Sequence, residues 1–251
     1  MSLQLVDTHC HIHETGYQLD PREVLIRARA AGVTKMICVG TNEQSSREAI
    51  DFAARHDGMY AAVGVHPHDT KAGYDTISEL ASHDVVAIGE IGLDYFYKHS
   101  TREVQIAALE SQVQTAIDHD LPIIFHVRES FEDFWPIVDN FHGIRGELHS
   151  FTDTQANLDK GFERGLYVGV NGISTFTKDP AQQAMYARIP LERMLLETDA
   201  PFLTPTPYRG TINEPAYVSE VAKHHALLRG IEPHIVATAT TANANELFHL
   251  K

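Results

Sequence analysis

The chain has 251 residues, 43% of them hydrophobic and 22% charged, a globular composition that excludes a disordered tail, a collagen-like fibre or a disulfide scaffold. Twenty lysines and arginines stand against 34 acidic residues, a net charge of −14 with histidine neutral, which excludes the broad basic footprint of a duplex-coating protein. An anionic substrate held through metal ions stays open.

From the N-terminus, short apolar runs alternate with longer amphipathic ones. Residues 5–7 read as a first strand, and Asp20-Pro21 then offers a capping carboxylate before a proline at the first helical position, with Glu23 placed to complete a capping box. A strand at 35–39, a helix at 44–55 and strands at 60–65 and 85–89 follow. Ser100 with Glu103 repeats the capping pattern before Ile106, Leu109, Val113, Ala116 and Ile117, which keep helical three-four spacing. Strands at 122–126, 146–149, 166–170 and 194–197 alternate with helices at 130–140, 154–164, a shorter one from Asp179-Pro180, and a last pair at 214–228 and 233–248. The strand runs are nearly continuous in apolar character, as parallel strands covered on both faces require. Eight strand-then-helix units in about 250 residues predict an α/β fold, a single (β/α)8 TIM barrel forming one domain over 1–251. The alternative is a doubly wound open sheet, but no G-x-G-x-x-G follows the first strand.

In such a barrel the chemistry belongs at the C-terminal ends of the strands. The first strand ends in Asp7-Thr8-His9-Cys10-His11, where alternation puts His9 and His11 on one face, able to grip one metal ion. The third runs into His66-Pro67-His68, and the fourth into Gly89-Glu90-Ile91-Gly92-Leu93-Asp94-Tyr95. An acid such as Glu90 after a buried run is expensive unless paired or bound to metal. The fifth ends in His126-Val127-Arg128, the sixth in His149-Ser150-Phe151, and the eighth in Glu197-Thr198-Asp199. Six strand ends thus carry His, Glu or Asp, a donor set that zinc, manganese or cobalt accepts readily and magnesium more reluctantly. A binuclear hydrolytic centre is the natural reading.

The remaining histidines are assigned by position. His56, His83, His99, His119, His142, His224, His225 and His249 are expected at the surface, His13 near the rim, and Trp135 in helix packing. Cys10 and Cys38 form no C-x-x-C pair and suit a reducing compartment. Met1-Ser2-Leu3-Gln4-Leu5 lacks a basic region followed by a long apolar run, so a cytoplasmic protein with no membrane partner is expected.

The motifs D-T-H-C-H-I at 7–12, G-V-H-P-H at 64–68, G-E-I-G-L-D-Y at 89–95, H-V-R-E at 126–129, E-T-D-A-P at 197–201 and R-G-x-x-N-E-P at 209–215 run in order along nearly the whole chain. Together they resemble the TatD-like metal-dependent deoxyribonuclease family. The resemblance implies an amidohydrolase-type barrel that hydrolyses phosphodiester bonds of DNA with two divalent metal ions (Mg, Mn or Zn). His9, His11, Glu90 and Asp199 would hold one ion and Glu90, His126 and His149 the other, with Glu90 as bridge. Two segments depart from the family pattern: the sixth-strand motif reads Leu148-His149-Ser150-Phe151, and Thr211-Ile212 stand where basic residues are expected.

On this reading Asp199, besides ligating, orients or deprotonates a water, and His66 and Arg128 contact the scissile phosphate. Arg209 binds a neighbouring phosphate, and Tyr95 or Phe96 stacks on a base. The expected activity is 3'-5' exonucleolytic, on single-stranded or frayed DNA ends. One alternative is a hydrolase of the same fold acting on a small amide, lactone or phosphoester, although no strand-end lysine offers the carbamate bridge such enzymes use. The other is a metal-binding scaffold without turnover.

Overall fold

The computed structural model describes residues 3–251; Met1 and Ser2, with which the predicted domain begins, lie outside the described residues. Strands β1 (Leu5–Cys10), β2 (Val33–Val39), β3 (Met59–Val63), β4 (Ala87–Asp94), β5 (Ile123–Arg128), β6 (Gly146–Leu148), β7 (Tyr167–Val170) and β8 (Met194–Leu196) follow one another in chain order in one eight-stranded sheet. β8 returns to β1 through a parallel bridge between Cys10 and Ala200. This is the expected parallel barrel. Its strands are buried on both faces, β1, β4 and β7 at every residue, which is why they read as apolar runs without alternation.

The helices are α1 (Pro21–Ala30), α2 (Glu43–Ala53), α3 (Ile77–Leu80), α4 (Arg102–Asp118), α5 (Phe131–Val138), α6 (Gln155–Glu163), α7 (Ile173–Phe176), α8 (Pro180–Arg188), α9 (Val218–Arg229) and α10 (Pro233–Phe248). Local chemistry sets several of their starts. The Asp20 carboxylate accepts from the Arg22 amide ahead of Pro21, and Asp179 does the same for Ala181 ahead of Pro180. α2 carries a reciprocal capping box between Asn42 and Ser45. α4 is different from expectation: its N-cap is Thr101. The Ser100 hydroxyl is instead engaged with the loop before α3, donating to the His68 carbonyl and accepting from the Lys71 amide. Among the described residues no helix is long and apolar enough to cross a membrane.

Two compact units divide the chain, one running to Ile37 and resuming at Ser150–Lys251, the other spanning Cys38–His149. In the first, α10 lays buried Val236, Ala244 and Leu247 against β1 and β8. His225 on α9, expected at the surface, is fully buried there. Its ring nitrogens meet the Ser174 hydroxyl on α7 and the Arg229 guanidinium at 3.1 Å each, so the helix face it occupies is an interior one despite its polarity. In the second unit, Phe125 on β5 meets Phe134 on α5 edge to face at 5.0 Å, and Leu109 and Val113 of α4 are fully buried.

β4 is longer than its apolar run suggested. It continues through Glu90 to Asp94, with a register irregularity against β5 between Ile88 and Ile91. Such a bulge re-aims a side chain without ending the strand, and here it brings Glu90 inside the sheet, 4% exposed. Beyond it Gly92 pairs with His126. A Cβ at Gly92 would collide with the His126 carbonyl oxygen, so the close approach of the two strands requires glycine. Gly92→Ala is therefore expected to lower stability by about 1–3 kcal/mol, read as a fall in Tm of several degrees in a thermal melt; an unchanged Tm would contradict this packing.

Candidate metal centre

In the first unit, β1 alternation works as read from the sequence. His9 and His11 are buried on one face, their Nε2 atoms 3.1 Å apart. Asp199, just beyond β8, brings its Oδ1 to 3.4 Å from His11 Nε2 and 3.8 Å from His9 Nε2. Three donor atoms thus face one point, in the nitrogen-and-oxygen combination that borderline divalent ions accept. His13 is also buried, its ring centre 6.3 Å from that of His11.

Asp199 reaches this position from a left-handed backbone conformation, φ 57°, and the surrounding bonds hold it there. Its amide donates to the His9 carbonyl at 2.9 Å, the His11 amide to the Ala200 carbonyl at 2.7 Å, and the Phe202 amide to the Asp199 carbonyl at 2.8 Å. Asn213, fully buried, closes the turn by donating through Nδ2 to the carbonyls of Thr198 and Phe202. From the strand side, Asp7 takes both the Thr198 amide and its hydroxyl, at 2.8 and 2.6 Å. Burial pushes the Asp7 carboxyl up to about 8, against the bonds from Thr198 and the His9 amide that lower it. Glu197 is committed as well, accepting from the Ser150 amide and the Asn171 side chain.

In the second unit, Glu90 Oε1 is the focus. His126 Nδ1 lies 2.7 Å away, His66 Nε2 3.7 Å and His149 Nε2 3.8 Å. His66, Glu90 and His126 present donor atoms close enough to share one cation. Burial holds the His66 imidazole well below its ordinary pKa, reinforced by the charge of His126, and its Nδ1 accepts from the His68 amide at 3.1 Å, so Nε2–H faces Glu90. Sequence reasoning expected His66 to touch substrate, and an Nε2–H suits a donor to a phosphate oxygen.

Asp94 is the residue the sequence reading gave no role. Its Oδ2 meets His126 Nε2 at 3.0 Å and His68 Nε2 at 2.9 Å. Its Oδ1 accepts from the Tyr97 amide at 2.9 Å. Although burial alone would raise it, these bonds hold the Asp94 carboxyl well below the carboxylate range. Burial likewise works against a charge on His126, yet its hydrogen bonds with Asp94 and Glu90 lift it to about 9 in the absence of metal. A ring bound through Nε2–H to Asp94 turns its Nδ1 toward Glu90, the carboxylate–histidine arrangement that orients metal ligands. The signal was there in part: Asp94 stands four residues after Glu90, at the end of the same strand.

Two buried glutamines on α4 fix the strand ends from behind. Gln105 accepts from the Asp94 amide and donates to its carbonyl; Gln112, seven residues on, does the same for Val65 next to His66. Two helical turns separate them, so one helix face clamps both backbones. The other predicted contacts sit nearer solvent. Arg128 at the end of β5 is exposed, its guanidinium 4.0 Å from the Phe96 ring centre. Arg209 lies 3.8 Å from the Phe176 ring centre and donates to the Thr204 carbonyl. Tyr95 donates its hydroxyl to Asp133 at 2.6 Å, with Arg102 over its ring.

If Asp94 orients His126, Asp94→Asn should weaken binding of manganese or zinc by about 10- to 100-fold in titration calorimetry while leaving the circular dichroism spectrum unchanged; wild-type affinity would exclude that role.

The chain matches the family described as TatD related DNase over residues 6–249. It is 36% identical to the uncharacterized metal-dependent hydrolase YabD of Bacillus subtilis, covering 98% of this chain and 99% of that protein. Identity is also 36% to the 3'-5' ssDNA/RNA exonuclease TatD of Salmonella typhimurium, again over 98% and 99%. Among solved structures, the TatD homolog YjjV of Escherichia coli superposes with a TM-score of 0.91 at 28% identity, over 100% of both chains. Fold, buried donors and sequence relationship agree: the chain belongs to the TatD family of metal-dependent hydrolases.

Proposed function

We propose that this hydrolase is an exonuclease that shortens DNA in the 3'-5' direction, from single-stranded or frayed ends, at a centre of two divalent cations, and that residues 1–251 form one hydrolase domain. The observation that carries the reading is the chemistry of the two donor clusters: His9, His11 and Asp199 within 3.8 Å of one another, and three imidazoles within 3.8 Å of Glu90. Glu90 lies within β4, and the other donors lie towards or just beyond strand C-terminal ends, where barrel enzymes do their chemistry. The relative from Salmonella typhimurium bears the name of a single-strand exonuclease, which supports the choice of substrate.

On this proposal His9, His11, Glu90 and Asp199 would hold one cation and Glu90, His126 and His149 the other. Such cations supply a Lewis acid for phosphoryl oxygens and lower the pKa of water. The protein's own groups do the rest. Asp199, held in its turn by Asn213, accepts the proton of the attacking water at a carboxylate oxygen. Neutral His66 and the Arg128 guanidinium orient the scissile phosphate, and Arg209 takes a neighbouring phosphate. Asp94 keeps His126 in the tautomer that faces Glu90.

The test is hydrolysis of 3'- and 5'-end-labelled single-stranded and duplex DNA by metal-stripped protein with magnesium, manganese or zinc restored singly. Stepwise shortening from the 3' end is expected, lowered at least about 100-fold in Glu90→Gln and Asp199→Asn, with both variants folded by circular dichroism. Full rates in either variant, or no cleavage with any ion, would overturn the reading.

A further inference from the structure

We propose that Phe96, Tyr97 and Arg128 form a stacking shelf for one unpaired nucleobase of the substrate strand; this rests on the exonuclease reading above and names what the site grips beyond the phosphate. Phe96 and Tyr97 directly follow β4 and are 47% and 42% exposed. Two half-exposed aromatic rings in succession offer π surface to solvent at the end of a strand that carries site residues. The rings meet edge to face at 4.7 Å. The Arg128 guanidinium lies 4.0 Å from the centre of the first and 5.1 Å from that of the second. Tyr97 also stacks on His99 at 5.7 Å with planes 21° apart. Phe96 and Tyr97 thus stand nearly perpendicular, with Arg128 against both rings and Tyr97 backed by His99.

This segment is built rather than loose. The Tyr97 amide is tied to Asp94 Oδ1, and the Tyr95 amide to the Arg128 carbonyl at 3.0 Å. Asp94 pairs with Arg128 in the sheet. The carboxylate that orients His126 therefore also fixes the start of the shelf. Two hydrogen bonds, His126 to Asp94 and Asp94 to the Tyr97 amide, link the proposed cation ligand to the backbone that carries the ring.

The surroundings select the occupant. Lys98 and His99, next in the chain, are exposed donors suited to phosphate oxygens, while Arg102 is ion-paired with Asp133. The exposed aliphatics Ile26, Leu227, Leu228 and Ile235 belong to α1, α9 and the start of α10 instead. Aromatic faces rimmed by cations suit a base with its phosphate, since every base has a π face and an Arg side chain can stack with it. A paired base is not available to such a shelf, which gives the enzyme a physical reason to act on unpaired ends. Tyr95, by contrast, is occupied by Asp133 and Arg102.

The experiment places 2-aminopurine at successive positions of a short single-stranded oligonucleotide and follows its fluorescence on binding to metal-free protein at low salt. One position should be quenched in the wild type, with affinity at least about 10-fold weaker in Phe96→Ala and Tyr97→Ala and retained in Tyr97→Phe. In steady-state hydrolysis Phe96→Ala should raise KM about 10-fold with kcat little altered. An abasic site at the quenched position should cost the wild type the same factor, and the two losses should not multiply. No quenched position in the wild type, or losses that multiply, would overturn the shelf. Quenching without cleavage by any ion would sink the exonuclease reading and leave the shelf standing; cleavage without quenching would do the reverse.

Discussion

One histidine held from both sides sets the geometry of the second unit. An imidazole offers two nitrogens, and whatever anchors one decides what the other presents. His126 has Glu90 on Nδ1 and Asp94 on Nε2, so its rotation is fixed from both sides. The same bonds answer a folding problem. Glu90 and Asp94 are both buried within one strand, and a buried carboxylate is costly unless it is paired. Surrounding them with His66, His68, His126 and His149 satisfies them and, at the same stroke, concentrates donors suited to a cation. Fold stability and chemistry here draw on the same contacts.

Those side chains keep their aim because the backbone carrying them is clamped. The ends of barrel strands are irregular, and irregular backbone has amides and carbonyls to satisfy. Gln105 and Gln112 do so for Asp94 and Val65 from one face of α4, while in the other unit Asn213 and Asp7 do so for the turn bearing Asp199. Asp199 is a non-glycine residue with positive φ, a conformation that persists only where the surroundings over-determine it. Glu214, adjacent to Asn213, is in turn held by a two-pronged contact from Arg27. The N-E-P segment thus acts through position, by fixing the Asp199 turn and tying it to α1.

The barrel was legible because parallel strands buried on both faces leave unbroken apolar runs, and because Asp-Pro pairs mark helix starts by a mechanism. His9 and His11 were legible for the same reason: a two-residue period puts them on one face. What stayed hidden depends on tertiary context. β4 was cut short at Gly89 because a bulge and two carboxylates interrupt its apolar pattern, and that is how Asp94 escaped notice. Ser100 has the composition of a cap, but its hydroxyl finds the His68 carbonyl and Thr101 takes the cap position. His225 shares the polarity of surface histidines, and only the approach of Ser174 and Arg229 makes its burial tolerable. Gln105 and Gln112 sit on an otherwise apolar face, where a polar residue has no meaning until its partner is known.

The charge balance narrows how a polyanion could be recognised. With −14 overall, attraction at a distance is unavailable, but at physiological salt the repulsion is screened beyond about 8 Å. Recognition must then be carried by contacts shorter than that. The second unit has such contacts on the two strands that hold its donors: β4 leads from Glu90 through Asp94 into Phe96 and Tyr97, and β5 from His126 to Arg128. Two residues separate ligand-type histidine from guanidinium, and two separate Asp94 from the exposed Phe96 ring. On the exonuclease reading proposed above, an acidic enzyme arranged this way would hold a strand end by its last units rather than by its length.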